Sequence, residues 1–427
     1  MMQRMGIVFA LLASAAVLAG CNGVPGQEVT EAPPGDVTAP PAMETVEEPA
    51  SAEPVEDTPT VAAETEEPTA EATVEPAEVP TEAAAQPGTL IAMYTPEGSV
   101  QVVDTGTGEV TPLADLTVDI TVAPHLPVGV AGGQIFVIGD DFSDDAPAQV
   151  YSIGRDGVVV PRDEFGPAVH SLAAYDGGEA ADYLAWGTFD IGEEQVTSGL
   201  YLTSLGDMNT QTIIEQTTPE GWNFVPVRWS EDGQRLFFAE EPSGLGGYIP
   251  FDGYSSLYVY DMAAGGDPAL LVPNSRAGMI CIDDLSPDEQ LIVHHCDPDR
   301  LTLFDMASGE STAVESPVTA GENQLAGSAR FSPDGSRVAY GIARGNPEDE
   351  LGYLILADVA SGQAELIGES EPGSIFRVLS WLDDSTLLVE MSGMENTLWR
   401  LPLDGGEPVL LGQGFYLATL PPDWFAE

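Results

Sequence analysis

The amino-acid sequence predicts an all-β fold, a seven-bladed β-propeller, on three observations. The first is a repeated tight turn, seen best in Phe331-Ser332-Pro333-Asp334-Gly335 followed by Arg337-Val338-Ala339-Tyr340. Pro333 presets φ for a turn, Asp334 can bond its own backbone, and Gly335 tolerates positive φ. The second is an apolar strand that ends in Asp and runs into a small-residue turn. The third is a strand and turn at the C-terminus whose missing partner stands near residue 90. Repeats with a period of roughly 45–55 residues, each built of short strands, signal a blade array.

The chain opens differently. Residues 1–21 read as a targeting segment, kept apart from the fold. Arg4 is a short positive region, and Gly6 to Val17 is an apolar run too short to cross a bilayer comfortably. Leu18-Ala19-Gly20-Cys21 closes it. This ending resembles the bacterial lipoprotein signal, in which a Cys after small residues is acylated and becomes the new N-terminus. The resemblance implies lipid on Cys21 and an extracytoplasmic protein anchored to a bacterial membrane. Several acyl chains anchor stably where one does not.

Residues 22–87 form a linker rich in Glu, Pro, Thr, Ala and Val, with no basic residue and no aromatic one. Such a segment cannot bury enough apolar surface to offset its chain entropy, so disorder is expected. At full stretch it reaches roughly 200 Å, and as a coil it averages about 45 Å. A tether is the simplest role.

The propeller is expected over residues 88–427. Thr89 to Tyr94 is a strand with no turn motif before it. Phe415 to Leu420 with Pro421-Pro422-Asp423 is a strand and turn with no strand after it. The two are read as one blade split between the ends of the chain, its innermost strand C-terminal. The Asp-ended strand recurs at Val100–Asp104, Leu257–Asp261, Leu301–Asp305 and Leu354–Asp358, with weaker copies from Val150, Leu200 and Leu398. Further turns stand at Trp229-Ser230-Glu231-Asp232-Gly233, Leu285-Ser286-Pro287-Asp288-Glu289 and Trp381-Leu382-Asp383-Asp384-Ser385. The recurring Asp232, Asp288, Asp334 and Asp384 are read as structural. In the second and third units, His125 to Gly139 and Ser171 to Gly187 keep strand character and lose the turn.

These residues resemble the TolB-like, WD-repeat-like propellers, whose repeat joins an FSPDG turn to an LYVYD-type strand. The resemblance implies the fold and little about activity, because propellers host many unrelated functions. Members of the family that dock onto membrane partners suggest an envelope scaffold as one role.

Composition narrows the partners. The net charge is −58, and all 12 basic residues are Arg. Nucleic acid needs clustered cations and is excluded as a partner. Direct adsorption to anionic lipid is disfavoured, leaving the N-terminal lipid as the membrane contact. Cations or basic partners suit such a chain, as does simple solubility.

Candidate chemistry is sparse. Cys281 and Cys296 flank the turn at Ser286–Asp288 and are expected to pair in an oxidising compartment. A metal site of Cys281, His294 and Cys296 competes but lacks a fourth ligand. Asp140, Asp141, Asp144 and Asp145 are candidate calcium ligands, against a plain solvated acidic loop. No other cofactor is expected. Neither a Gly-x-Ser-x-Gly elbow nor a phosphate-cradling loop is present, and His125 and His170 stand alone, so no catalytic residue is assigned.

The segments joining second to third strands should share one rim. The longest, Glu240 to Ser256, carries Tyr248, Ile249, Phe251 and Tyr254 as candidate partner-binding residues on an exposed connection, with folding back onto the blade as the rival. The expected function is a lipid-anchored extracytoplasmic module binding a protein, peptide or glycan of the cell envelope. The alternative is a propeller enzyme, a polysaccharide hydrolase or lyase using carboxylates at the channel mouth.

Overall fold

The computed structural model describes residues 88–425 except 121–128, 141–147, 178–181, 193–194, 219–220, 243–249, 252, 273–280, 298, 320, 322, 347–348 and 394. Residues 1–87, where the signal peptide, Cys21 and the linker are expected, therefore lie outside the described residues, as do Asp141, Asp144, Asp145, Tyr248 and Ile249. The backbone of Asp140 ends a strand of the second blade.

Seven antiparallel sheets follow one another around a ring, six of four strands and one of five. Blade 1 is the split one. Phe415–Leu420 pairs with Leu90–Tyr94, which pairs with Ser99–Asp104 and then Val110–Asp115. In blade 2, Gln134–Asp140 pairs on one side with both Asp119–Ile120 and Gly129–Ala131. Blade 3 carries three nine-residue strands, Tyr183–Ile191, Val196–Ser204 and Thr210–Thr218, outside Val169–Tyr175. Its second and third strands pair out to Ile191 and Val196. Blades 4 to 7 begin at Trp222–Trp229, Ile282–Leu285, Leu325–Phe331 and Ile375–Asp383.

Each pair of neighbouring blades encloses its own apolar core, and the seven cores close the circle. Val338, Tyr340 and Ile342 face blade 5, while Ala339 faces blade 7. Successive side chains leave opposite faces of a strand. Both faces of a blade are covered, so inner strands read as apolar runs rather than as alternation. Ile91, Met93 and Val103 of blade 1 meet Leu379, Leu388 and Leu398 of blade 7, and Ala92 and Val102 meet Ile135 and Val137 of blade 2. Trp424, fully buried after the closing strand, fills the second of these cores.

The turn motif is held by its own side chains. Ser332 Oγ donates to Asp334 Oδ1 (2.6 Å), which also accepts from the Ser336 amide (2.9 Å). Ser230 with Asp232, and Ser286 with Asp288, repeat the first bond at 2.6 Å. The seventh unit departs from the expectation. Asp383 pairs across the hairpin with Thr386, and its Oδ1 accepts from the Ser385 amide (2.7 Å), so Asp383 rather than Asp384 takes the structural role. Hydrogen bonds from Ser332 and Ser336 pull the Asp334 carboxyl down to about 2.

Because the folded state holds that proton less tightly, the stabilisation is present above the ordinary value of 3.8 and is lost as pH falls toward about 2. Thermal unfolding measured across this window should show Asp334→Asn losing less stability with acidification than the wild-type chain. Parallel curves would show that the turn does not titrate with folding.

Candidate functional site

The innermost strands surround the central axis, and one mouth is set by the ends where they begin. Second-to-third-strand connections open on this same face. The described residues 250, 251 and 253–256 of blade 4 lie across part of it and are tied down by three other blades. Tyr254 exchanges hydrogen bonds with Ile282 of blade 5, Tyr254 N to Ile282 O at 2.8 Å and Ile282 N to Tyr254 O at 2.9 Å. Phe251 packs against Leu325 and Ala343 of blade 6 and Ile375 of blade 7. The Arg377 Nε of blade 7 donates to the Pro250 carbonyl (3.1 Å).

The seat for Phe251 is made of glycine. A Cβ on Gly327 would lie 2.6 Å from the Phe251 Cβ, and one on Gly341 would lie 2.9 Å from its ring. Absence of side chains at these two positions lets an aromatic ring enter between blades 6 and 7. The sequence reading put Phe251 and Tyr254 on an exposed connection. They are 3% and 4% exposed instead, because Pro250, Phe251 and Tyr254 turn onto blades 5, 6 and 7 rather than standing in solvent.

Charge along the inner strands is largely used to join blades. Arg377 Nη1 pairs with Glu390 (3.0 Å) and donates to Ser392 Oγ (3.0 Å). Burial pushes the Glu390 carboxyl up, and Arg377 partly offsets this. Asp283 and Asp284 each accept a backbone amide of blade 6, from Ala329 (3.2 Å) and Phe331 (3.0 Å). His295 Nδ1 lies 2.7 Å from the second oxygen of Asp283. Arg330 donates to the Asp283 carbonyl (3.0 Å), and Arg228 donates to the Leu285 carbonyl (2.7 Å). A β-bulge makes the double use of Asp283 and Asp284 possible: the register against the second strand shifts between Ile282 and Asp284.

The cysteines sit beside the crossing segment. Cys281 and Cys296 are joined by a disulfide with their Cα atoms 4.8 Å apart, and the Cys281 carbonyl accepts the His295 amide (2.8 Å). Their thiolates are thereby withdrawn from metal ligation, and His294 keeps a strand position opposite Ile282. No group of three or more His, Cys, Asp or Glu side chains suited to a metal occurs among the described residues.

A second set of groups was not legible in the sequence. Among the described residues, His170 Nε2, Ser171 Oγ, Asn223 Oδ1, Ser255 Oγ and Gln324 Oε1 are buried without hydrogen-bond partners, and these residues stand near the starts of first or third strands, the ends that face this mouth. A Cβ on Gly187 would meet Ser171 Oγ at 2.6 Å, His170 Nε2 at 3.1 Å and the Phe224 carbonyl at 2.3 Å, so three polar atoms converge there. The bulge at His170 turns both side chains the same way. Burial lowers the His170 pKa to about 4, which keeps the ring neutral near neutral pH. Only the isolated His170 had a sequence signal.

No protein-family model matches the chain, and no curated protein matches it. Among solved structures it is similar to an oligogalacturonate lyase in complex with manganese, at 15% identity over 76% of this chain and 84% of that one, with a TM-score of 0.45. An oligogalacturonate lyase from Vibrio parahaemolyticus is 16% identical over 78% and 87%, with a TM-score of 0.45. Prolyl oligopeptidase B from Galerina marginata is 9% identical over 80% of this chain and 53% of that one, with a TM-score of 0.49, so the chain spans about half its length. The seven-bladed architecture itself rests on the strand pairing.

Phe251→Ala should cost about 3–5 kcal/mol, the usual loss for a buried aromatic ring, read as a shift in the denaturant midpoint. A variant within about 0.5 kcal/mol of wild type, the usual range of a surface substitution, would place the ring on the surface.

Proposed function

We propose that this protein is a lipid-anchored, extracytoplasmic β-propeller of the TolB-like type that binds a protein, peptide or glycan of the cell envelope and does no chemistry on it. The observation that carries the reading is the gathering of buried, unpartnered polar atoms at one mouth of the ring. An unsatisfied buried donor or acceptor costs about 1–3 kcal/mol, so a ligand that supplied bonds to such atoms on the mouth-side ends of blades 3, 4 and 6 would be favoured. The inner-strand carboxylates, by contrast, are committed to neighbouring blades: Asp283 and Asp284 hold amides of blade 6. That arrangement suits recognition better than the acid pair a polysaccharide hydrolase needs, with carboxyls about 5–10 Å apart and open to a sugar.

Membrane attachment through Cys21 supplies the location. No helix among the described residues is long and apolar enough to cross a membrane. The acidic residues 22–87 serve in this reading as a tether.

Binding is tested by titrating the mature chain with oligosaccharides and peptides of envelope type, with product analysis on the same samples. Saturable binding without new products is expected. Shortened or unsaturated sugars would instead establish the enzyme. For the anchor, Cys21→Ala should move the protein from the membrane fraction to the soluble one. Retention after a salt wash would rule out lipid attachment at this residue.

A further inference from the structure

The end of the ring opposite the mouth carries a groove of its own. It lies on blade 2, where the turn at Gly132-Gly133 joins first to second strand and the turn at 154–158 joins third to fourth. Its volume is about 590 Å³, within the range of pockets that hold small ligands. Among the described residues, Gln134, Ser152, Arg155, Val158, Val160 and Arg162 line it.

Phe136, Ser152 and Val160 stand opposite one another across three strands, on the face that packs against blade 3. Toward this end the apolar core stops, and Gln134 stands opposite Gly154. Arg162 reaches back over the Phe136 ring, 5.6 Å from its centre, and donates to Gln134 Oε1 (3.1 Å) and Ser152 Oγ (3.3 Å). Its Nε donates to Glu164 (2.6 Å), which leaves Nη2 without a partner among the described residues. Arg155 comes in from the rim. Its guanidinium lies 5.3 Å from the centre of the Trp424 ring, and a Cβ on Gly133 would stand 2.9 Å from its Nε. Gly132 and Gly133 take the left-handed φ of a two-residue hairpin, 56° and 68°, and keep that side open. Arg155 makes one long bond, to the Asp423 carbonyl (3.4 Å), and has no carboxylate partner among the described residues.

Two guanidiniums seated on aromatic rings and short of acceptors suit a carboxylate, whose two oxygens match the guanidinium fork. The carboxylates nearby are already held. Asp156 accepts the Val158 amide (3.1 Å), and Asp182, beside Gly132, accepts the Gly177 amide (3.0 Å). Their charge, within a net −58, opposes a polyanion and favours a ligand with a single carboxylate. The floor suits an apolar body next to it, since Val158 and Val160 are 54% and 43% exposed. Val159–Pro161 is the edge strand of blade 2, so its outer backbone groups stand ready to pair with an extended chain.

We infer that this groove binds the C-terminal carboxylate of a peptide that ends in a branched aliphatic residue. Arg162 and Arg155 meet the carboxylate, and Val158 and Val160 carry the aliphatic side chain. The site stands apart from the mouth and goes beyond the binding proposed there.

The test is calorimetric titration of the full-length chain with acetyl-Ala-Ala-Val. Saturable binding at one site is expected. The C-terminal amide of the same peptide lacks the charge, and acetyl-Ala-Ala-Gly lacks the branch; each should bind about tenfold more weakly or worse. Arg155→Gln, at an exposed position, should weaken the acid about tenfold, whereas Arg300→Gln, exposed on blade 5, should leave it unchanged. Val160→Asp sets a carboxylate on the floor and should abolish binding. These two exposed variants keep the inference open to refutation even where Arg162→Gln folds poorly. Absence of binding overturns it, as does equal binding of acid and amide, or an equal loss in Arg155→Gln and Arg300→Gln. Isovalerate that competes as well as the tripeptide itself would assign the groove to a free acid and overturn the peptide reading.

Discussion

The pairing of Phe415–Leu420 with Leu90–Tyr94 is the constraint on which the rest depends. Each blade buries both faces, so no blade is stable with a neighbour missing. An open ring would expose two sheet edges and two apolar faces at once. By placing the C-terminal strand innermost beside strands from the beginning of the propeller, the chain makes blade 1 depend on both ends. The cores on either side of blade 1 contain residues from beyond 378 and from before 138, which is closure in physical terms.

Closure also creates the mouth. First strands held side by side bring their beginnings into one small area, where polar side chains have few routes to solvent. Bulges in those strands then decide what points where. At Asp283 the bulge turns two consecutive carboxylates toward blade 6, and at His170 it turns an imidazole and a hydroxyl toward Gly187. Glycines at 187, 327 and 341 keep the neighbouring surfaces low. In blade 6 that space is taken by Phe251 from the chain itself, so the protein already shows one way an extended segment docks at this face.

Much of this architecture could be read from residues alone. Ser-Pro-Asp-Gly turns and Asp-ended strands carry their own hydrogen bonds, so they form locally and announce blades 4 to 6 without help. The seventh turn was misread by one residue, since Asp383 and Asp384 are chemically equal and register chooses between them. The split blade was legible because each end lacked what the other had. The site was not. A bulge has no side-chain signature, and the path of residues 250–256 depends on glycines about 75–90 residues further along. Aromatic residues in a long connection suggested exposure, while the fold offered Phe251 a closer partner.

Native-state hydrogen exchange of the inner-strand amides tests closure most directly. If the ring stands or falls as a unit, amides in Phe415–Leu420 and Leu90–Tyr94 should open with the same free energy as those in Leu325–Phe331, at the limit set by global unfolding. Exchange of Phe415–Leu420 through a low-energy local opening, with the other blades still protected, would contradict the account.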